Sequence, residues 1–493
     1  MSEDKYLLSI DQGTTSSRAI LFDSKGRSMF SSQEEFKQYF PSEDKVEHDP
    51  KDIWDTVFNT ISQTLKKAKI KADQVSAIGI TNQRETTLIW DKETGEPVYN
   101  AIVWQDRRTS EYCAMLKEGG HEQEVISKTG LLLDPYFSAT KIKWILDNVD
   151  GARNKAKAGK LLFGTVDCYL LWKLTEGRSH YTDISNASRT LLFNIHTQDW
   201  DDELLKLFDI PSTMLPEIKD NICDFGVTTL FGDEIPIYAM AGDQQAASFG
   251  QACFDKGMVK STYGTGCFML KNIGSEPMVS KQKLLTTIAW RIDGKTTYAL
   301  EGSIFVAGSA IQFMRDVLGL LESAPDSEKM AQSVDSNGGI YFVPALTGLG
   351  APYWNPYARG LISGLTRGTK PEHIVRAALE AQAYQTLDLL NAMQDDTGID
   401  IKQIRVDGGL VNNSWVCQFI SDIVNVQIDR PVITETTALG VAYMAGLKAG
   451  FFKDFDHIKS LWLNDRSFKP EMDKSEITKL YNGWQKAIER VQI

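Results

Sequence analysis

The chain has 493 residues, 42% of them hydrophobic, and a formal net charge of −12 at pH 7. This length exceeds the range over which one hydrophobic core keeps growing, so two large domains are expected. The acidic balance argues against a surface adapted to nucleic acid or anionic lipid, because their phosphates attract clustered Lys and Arg.

The cysteines and the N-terminus predict a cytoplasmic protein without membrane insertion. Six cysteines are scattered along the chain without CxxC pairs or the Cys/His spacing of a zinc site, which indicates a reducing compartment. The N-terminus lacks the basic start and long apolar stretch of a signal peptide. No uninterrupted apolar segment reaches the length that spans a bilayer.

The first predicted elements are a β-hairpin, a helix and a strand. Residues 6–10 and 19–23 form two apolar strands around a polar loop at 11–18. Asp49-Pro50 then opens a helix to about residue 70, with Asp49 as N-cap and Pro50 in the first helical position. Residues 75–80 form a buried strand that leads into Asn82-Gln83-Arg84-Glu85. Strands and amphipathic helices continue to alternate, which predicts an α/β fold.

The second half restarts the same order of elements. Residues 258–262 and 268–270 form strands around the turn Tyr263-Gly264-Thr265-Gly266-Cys267. Residues 369–393 form a long helix with Thr369 as its cap, and the strand at 404–406 runs into Asp407-Gly408-Gly409. This repetition indicates duplication of one fold, with a boundary between residues 250 and 257.

The loop at 11–18 concentrates a carboxylate, hydroxyls, a glycine and a guanidinium in one turn. Hydroxyls and exposed amides hydrogen-bond phosphate oxygens, and Asp11 is suited to anchor Mg²⁺ through water. An ordinary hairpin turn with solvated polar residues explains the loop equally well. Paired with the Gly264-Thr265-Gly266 turn, it suggests two opposed hairpins that grip a nucleotide's phosphates and leave a cleft that closes.

Two other nucleotide-binding folds match poorly. The sequence contains no GxxxxGK[ST] segment, which argues against a P-loop. Residues 264–269 fail the GxGxxG pattern at its last position, which weakens a Rossmann assignment.

Taken together, these motifs resemble the FGGY family of carbohydrate kinases. The opening DQGTTSSR is similar to the phosphate loop of this family, and to that of its glycerol kinases in particular. The resemblance implies an α/β fold of two actin-like, ribonuclease H-like ATPase domains flanking a catalytic cleft. Residues 1–252 would carry the glycerol site and the phosphate loop, and residues 253–493 the nucleotide site. The matching segments run in order along nearly the whole chain: TNQRETT from 81, VWQDRR from 103, DPYFS from 134, AGDQQAA from 241, YGTGCF from 263 and GAPYW from 350.

The resemblance implies a glycerol site with a catalytic base. Arg84 and Glu85 match a glycerol clamp, in which a guanidinium donates to hydroxyl oxygens and a carboxylate accepts their protons. Asp243 matches the base and, with Asp11, a metal ligand. Trp104, Tyr136 and Phe268 match an aromatic wall over the carbon chain, with Tyr136 also offering its hydroxyl, and Gln244 matches a position beside the substrate.

Without the resemblance, the same residues have ordinary structural explanations. Arg84 and Glu85 are then a solvated ion pair and the aromatic residues belong to the core. Asp243 follows the apolar run at 235–241 and is then the N-cap of a helix that starts at Gln244. Both roles of Asp243 are compatible.

The resemblance also implies an ATP site and the reaction. Residues 308–312 begin a helix after a strand at 298–300, and Asp407-Gly408-Gly409 precedes a helix from about Asn413, where glycine lets the backbone approach a ligand. Close packing of small residues and a plain strand-to-helix turn explain these patterns as well. The implied reaction transfers the γ-phosphoryl group of Mg-ATP to a terminal hydroxyl of glycerol, giving glycerol 3-phosphate and ADP. The implied nucleotide residues are Thr14, Thr15, Ser16, Arg18, Thr265, Gly308, Gln312, Gly409 and Asn413.

Regulation and assembly are further expectations. Some relatives carry a basic glycine-rich loop for fructose 1,6-bisphosphate before the Asp243 strand, and others a phosphorylatable histidine. Residues 225–234 have neither feature, and Asp233 and Glu234 would repel a bisphosphate. The resemblance suggests a homodimer or homotetramer.

Two alternative functions remain open at this stage. One is an FGGY kinase acting on a pentulose, a tetritol or a sugar acid, with the same nucleotide half. The other is an actin-like or Hsp70-like ATPase, although the tail after about Gly450 is short for a client-binding module.

Overall fold

The computed structural model describes residues 5–492 and alternates strands with helices throughout, as the sequence predicts. The helices are α1 (Pro50–Ala68), α2 (Ser110–Glu118), α3 (Glu122–Thr129), α4 (Ser138–Asn148), α5 (Ala152–Lys157), α6 (Val166–Leu174), α7 (Ile184–Ala187), α8 (Asp202–Leu207), α9 (Asp243–Gly250), α10 (Gly308–Asp316), α11 (Asp326–Gln332), α12 (Pro371–Thr397), α13 (Ser414–Val424), α14 (Thr436–Lys448), α15 (Phe455–Leu461) and α16 (Lys474–Val491). The strands are β1 (Tyr6–Gln12), β2 (Ser16–Phe22), β3 (Ser28–Glu35), β4 (Glu47–His48), β5 (Val75–Asn82), β6 (Leu88–Asp91), β7 (Ala101–Ile102), β8 (Leu161–Gly164), β9 (Tyr181–Asp183), β10 (Phe193–Asn194), β11 (Asp199–Trp200), β12 (Glu217–Lys219), β13 (Ile222–Thr228), β14 (Ile235–Gly242), β15 (Val259–Tyr263), β16 (Cys267–Gly274), β17 (Leu285–Ile292), β18 (Lys295–Ile304), β19 (Tyr341–Val343), β20 (Leu361–Ser363), β21 (Gln403–Asp407), β22 (Gln427–Pro431) and β23 (Asn464–Phe468).

The first large sheet has the order β13-β14-β5-β1-β2-β3. The predicted hairpin is confirmed as the antiparallel pair β1 and β2, and β5 runs parallel to β1. The strands are longer than predicted, because Asp11 and Arg18 pair with each other inside the ladder and the turn is confined to residues 13–15. The carboxyl ends of β1, β5 and β14 therefore lie side by side at one edge of the sheet.

Helix α1 covers one face of this sheet and follows its sequence signals. The Asp49 side chain accepts a hydrogen bond from the backbone N–H of Lys51 at 2.8 Å, which caps the helix as predicted. Its buried stripe of Ile53, Val57 and Ile61 packs toward β2 and β3. Burial of this stripe fixes the helix on the sheet.

The second large sheet has the order β17-β18-β16-β15-β21-β22-β23. Its hairpin, β15 and β16, is antiparallel, and β21 runs parallel to β15, which repeats the arrangement of β1, β2 and β5. The long helix is confirmed as α12, but the predicted cap is wrong. Lys370 occupies the N-cap position, while the Thr369 hydroxyl accepts from the Thr366 N–H at 2.9 Å and closes the preceding turn.

Two helices cross between the sheets at close range. Helix α14 packs on β1, β5 and β14 of the first sheet, and α9 contacts β15, β16 and β17 of the second. A Cβ at Gly440 would lie 1.9 Å from the carbonyl oxygen of Ala246, so only glycine permits this crossing. The predicted division between residues 252 and 253 falls in the segment after α9; that division stays a prediction.

No helix among residues 5–492 is both long enough and apolar enough to cross a membrane. Within the same residues, all six cysteines are free thiols, and five of them are buried.

Candidate active site

A cavity of about 420 Å³ lies where the turns of the two hairpins face each other. Thr14 and Thr15 come from the first turn, and Gly264, Thr265 and Gly266 come from the second. The strand-end segments after β5 and β14 open into the same space. Every residue predicted for the glycerol site and the base lines this cavity: Arg84, Glu85, Trp104, Tyr136, Asp243, Gln244 and Phe268.

Arg84 is buried and held by partners from helix α9 and from the second sheet. Its Nη1 donates to Oε2 of Glu301 at 2.6 Å and to Oε1 of Gln245 at 3.2 Å, and its Nη2 donates to Oε1 of Glu301 at 3.0 Å. A guanidinium carries five N–H donors; Nε lies 3.1 Å from Oδ1 of Asp243, so one Nη2–H is left to face a ligand. A Cβ on Gly242 would lie 2.7 Å from the Arg84 stem, so glycine makes room for it.

The backbone of Glu85 is held in an uncommon conformation. Its φ is 61°, in the left-handed region that non-glycine residues rarely occupy. Its carbonyl oxygen accepts from the Ser138 hydroxyl at 3.1 Å and from Nζ of Lys141 at 3.2 Å. Lys141 also donates to the carbonyl of Tyr136 at 2.6 Å. One buried lysine therefore fixes the backbone of two residues that line the cavity.

Asp243 lies at the first turn of α9, directly after β14. The predicted N-cap position is shifted by one residue: Gly242 is the N-cap, and Oδ1 of Asp243 accepts from the neighbouring N–H of Gln244 at 2.7 Å. The same oxygen lies 3.1 Å from Nε of Arg84. Its side chain is 31% exposed, in contrast to the 2% of Arg84, so the carboxylate is accessible from the cavity.

The predicted aromatic residues form one continuous wall. The ring centroid of Trp104 lies 5.7 Å from that of Tyr136 and 6.1 Å from that of Phe268, both edge to face. Nε1 of Trp104 donates to the hydroxyl of Thr14 at 3.0 Å, which ties the wall to the first hairpin turn. Such a surface suits the carbon chain of a small polyol.

A second cavity, of about 460 Å³, lies on the other side of the second hairpin turn. Gly264 and Thr265 line both cavities, so the turn separates them. Its lining is mainly apolar, with the N-terminus of α10 on one side and the segment before α13 on the other. Five of the predicted nucleotide residues line it: Thr265, Gly308, Gln312, Gly409 and Asn413.

Sequence comparison assigns the chain to a family. The profile of the FGGY family of carbohydrate kinases, N-terminal domain, matches residues 6–250, and that of the C-terminal domain matches residues 259–449. Glycerol kinase of Oceanobacillus iheyensis is 59% identical over 99% of this chain and 98% of its own length. The chain belongs to the FGGY family of carbohydrate kinases.

Structural comparison agrees with this assignment. The chain superposes on the crystal structure of Plasmodium falciparum glycerol kinase with ADP with a TM-score of 0.91 and 38% identity, covering 99% of both chains. In sequence, glycerol kinase 1 of Pseudomonas aeruginosa is 58% identical to this chain over 99% of both chains. The predicted two-domain, actin-like FGGY fold is therefore confirmed.

Two residues expected to hold phosphate, Ser16 and Arg18, line neither of the two cavities. Ser16 accepts a hydrogen bond from Gln33 at 2.9 Å, and Arg18 donates to the same glutamine at 3.1 Å. Arg18 also pairs with Glu435, which precedes α14. Thr14 and Thr15 are thus at the cavity, while Ser16 and Arg18 are behind the turn; their role in nucleotide binding stays a prediction.

The charges around Asp11 are compatible with Mg²⁺. Burial raises the pKa of Asp11 to about 7; Arg18 opposes this shift, and the carboxylates of Glu435 and Asp243 add to it. A cation bound beside a carboxylate favours its ionised form and so opposes this shift. Within residues 5–492, no group of three or more His, Cys, Asp and Glu is close enough to hold an ion by itself. Mg²⁺ usually keeps several waters and binds one or two carboxylates together with phosphates, so Asp11 and Asp243 fit it.

Several residues that contact the candidate site were not predicted from the sequence. Lys260 is buried and donates to Oε1 of Gln244, so it fixes the side chain expected beside the substrate. Glu301 has one detectable signal, since it is a lone carboxylate in the buried strand β18. Arg189 and Lys141 have none, because their partners come from distant segments: both contact Glu85.

Proposed function

We propose that this protein is an ATP-dependent glycerol kinase that gives glycerol 3-phosphate and ADP. The observation that carries the proposal is the pair of cavities that share Gly264 and Thr265. One has a guanidinium, two carboxylates and an aromatic wall, and the other has a mainly apolar lining. The named function of relatives at 57–59% identity supports the same assignment.

Glycerol would bind in the 420 Å³ cavity. One Nη2–H of Arg84 is available to a hydroxyl oxygen, while Nε lies against the Asp243 carboxylate. Oε1 of Glu85 accepts from Arg189, and the residue lines the cavity, so its carboxylate is available to accept from a substrate hydroxyl. A neutral triol needs both donors and acceptors, and the ring of Phe268 covers its carbon atoms.

ATP would bind in the 460 Å³ cavity with its phosphates directed to the two hairpin turns. Phosphoryl transfer depends mainly on positioning and on stabilisation of charge. Asp243 would accept the proton of the attacking hydroxyl while Arg84 holds the carboxylate in place. Mg²⁺ held by the phosphates, Asp11 and Asp243 would neutralise charge on the phosphoryl oxygens.

The proposal also assigns a different binding site to each half of the chain. Residues 1–252 would carry the glycerol site and phosphate loop, and residues 253–493 the adenosine site. A cytoplasmic location and assembly into a homodimer or homotetramer stay predictions.

The test is ADP formation from Mg-ATP with and without glycerol, together with identification of the phosphorylated product by ³¹P NMR. Glycerol-dependent ADP release with stoichiometric glycerol 3-phosphate is expected. A steady ATPase rate that no polyol changes would contradict the proposal and favour an actin-like or Hsp70-like ATPase.

A further inference from the structure

Four charged side chains form a buried network behind the glycerol cavity. Arg84 and Glu85 line the cavity, whereas Arg189 and Glu301 lie entirely behind them and are 0% exposed. Arg84, Glu85 and Arg189 belong to the first half of the chain, and Glu301 comes from β18, which lies between β17 and β16 in the second sheet. The network therefore joins the two halves at the substrate site.

Glu301 controls the orientation of Arg84. Its two carboxylate oxygens accept from both terminal nitrogens of Arg84, at 2.6 and 3.0 Å, in a bidentate pair. A bidentate pair fixes the plane of the guanidinium, which a single hydrogen bond does not. Once this plane is fixed, the Nε edge of Arg84 faces Asp243 and the cavity.

Arg189 controls the orientation of Glu85. Its Nε donates to Oε1 of Glu85 at 2.6 Å, and its Nη2 donates to Oε1 of Glu301 at 2.9 Å. Its guanidinium carbon also lies 5.7 Å from the ring centroid of Tyr136, so the same side chain contacts the aromatic wall. By holding Oε1, it restricts the orientation of the Glu85 carboxylate at the cavity.

The network is electrically balanced, with two guanidiniums and two carboxylates. Burial raises the pKa of Glu301, but Arg189 and Arg84 more than offset this and bring it down to about 2. Glu301 therefore stays ionised at neutral pH, and removal of its charge would leave Arg84 and Arg189 with Glu85 as their buried carboxylate partner, since Asp243 is partly exposed. Such an imbalance is costly in a buried site.

We propose that Glu301 and Arg189 are positioning residues for glycerol, which fix the substrate-facing edges of Arg84 and Glu85 and make glycerol binding depend on the second sheet. This inference rests on the function proposed above. The two residues do not touch the substrate and act only through Arg84 and Glu85. Their loss is expected to affect glycerol affinity much more than nucleotide affinity, because the nucleotide cavity lies beyond the second hairpin turn.

The experiment compares Glu301→Gln and Arg189→Lys with the wild type. Gln keeps the shape of Glu301 without its charge, and Lys cannot make the forked contacts of Arg189. The readouts are kcat, KM for glycerol, KM for ATP, and the affinity for ADP by calorimetry. We expect KM for glycerol to rise by roughly tenfold or more in each variant, with ADP affinity within about twofold of the wild type.

Glu380→Gln is the matched control for simple loss of a buried charge. Glu380 is 1% exposed in α12, pairs with Arg376 at 2.8 Å and does not line either cavity. This variant should lose thermal stability and keep its KM for glycerol. The double variant Glu301→Gln/Arg189→Gln restores the charge balance, so it should fold even if Glu301→Gln alone does not, and it should keep the raised KM.

The outcomes separate the two proposals. If the wild type shows no glycerol-dependent turnover, the kinase function itself is wrong. If the wild type is active but Glu301→Gln raises KM for glycerol no more than Glu380→Gln does, the positioning role is wrong. If both Glu301→Gln and the double variant lose ADP binding, the network serves folding rather than glycerol binding, and the proposal fails as well.

Discussion

Oδ1 of Asp243 lies 3.1 Å from Nε of Arg84, so the proposed base and the proposed clamp are in direct contact. Asp243 comes from the end of β14 and Arg84 from the end of β5, and these strands are parallel neighbours in the first sheet. Their carboxyl ends meet at one edge, which brings the two side chains together. Removing the Asp243 carboxylate should therefore lower kcat strongly and change nucleotide affinity little.

Asp243→Asn tests the proposed base. The amide keeps the size of the side chain but does not accept the proton of the attacking hydroxyl, so kcat should fall by about 10²–10⁴-fold. ADP affinity, measured by calorimetry, should change little. Asp454→Asn is the control, since Asp454 is an N-cap residue of α15 that does not line the cavities. Near-normal turnover of Asp243→Asn would remove this residue from the mechanism.

Phe268→Ala tests the aromatic wall. Loss of the ring removes apolar contact with the carbon chain, and KM for glycerol should rise by about 10- to 100-fold. KM for ATP should stay within about twofold, because the ring does not line the nucleotide cavity. Phe231→Ala, which removes a ring stacked on Phe58 at 5.3 Å, is the control. An unchanged KM for glycerol would mean that Phe268 belongs only to the core.

Gly409→Leu tests the nucleotide cavity. A Cβ at Gly409 meets no atom within 4 Å, so a side chain there extends into open space rather than into the core. KM for ATP should rise by roughly tenfold or more while the thermal midpoint changes little. Gly368→Leu places the same side chain on an exposed turn, with its nearest contact at 3.8 Å. Equal KM values for the two variants would contradict a nucleotide role for Gly409.

Much of the fold was predictable because its signals are local. The cap at Asp49, the strands around residues 13–15 and 264–266, and the glycine loop after β21 each depend on a few adjacent residues. The two wrong N-cap predictions are also local, since each is displaced by one residue. Thr369 and Asp243 were both read as N-caps, because Thr and Asp are common there, yet Lys370 and Gly242 occupy those positions.

The site was only partly predictable, for a physical reason. The segments around Arg84, Trp104, Tyr136 and Asp243 have recognisable motifs, whereas the residues that orient them do not. Arg189 lies 104 residues from its partner Glu85, and Glu301 lies 217 residues from Arg84. Nothing in a local pattern identifies such pairs, because they exist only after the two sheets have packed together.

The pH dependence of stability tests the buried Lys141. Burial lowers its pKa to about 7, with Glu85 and Asp106 partly opposing the shift. Between about pH 7 and the ordinary lysine value near 10.4, the unfolded chain binds more protons at this position, so stability rises with pH. Relative to Lys141→Met, the wild type should gain about 1.4 kcal/mol in free energy of unfolding per pH unit in this range. Urea unfolding at pH 7 and pH 9 measures the difference; parallel pH profiles would contradict the pKa shift.

Insensitivity to fructose 1,6-bisphosphate is a further prediction. Residues 225–234 form the end of β13 and a turn with Gly232 at a φ of 113°, and the turn carries Asp233 and Glu234 rather than basic residues. Like charges should repel the bisphosphate. Titration at saturating glycerol and ATP should leave the rate unchanged, with a relative that carries the basic loop as positive control. Clear inhibition would refute the predicted insensitivity.

The most direct test of the central claim is substrate choice. ADP release from Mg-ATP is measured with glycerol, xylulose, ribulose, erythritol and gluconate, and kcat/KM is compared. The account predicts that glycerol is preferred by a large factor, because the guanidinium of Arg84, the carboxylate of Glu85 and the aromatic wall suit a small triol. Preference for a pentulose, a tetritol or a sugar acid would keep the fold and the base but contradict the assignment of the glycerol clamp.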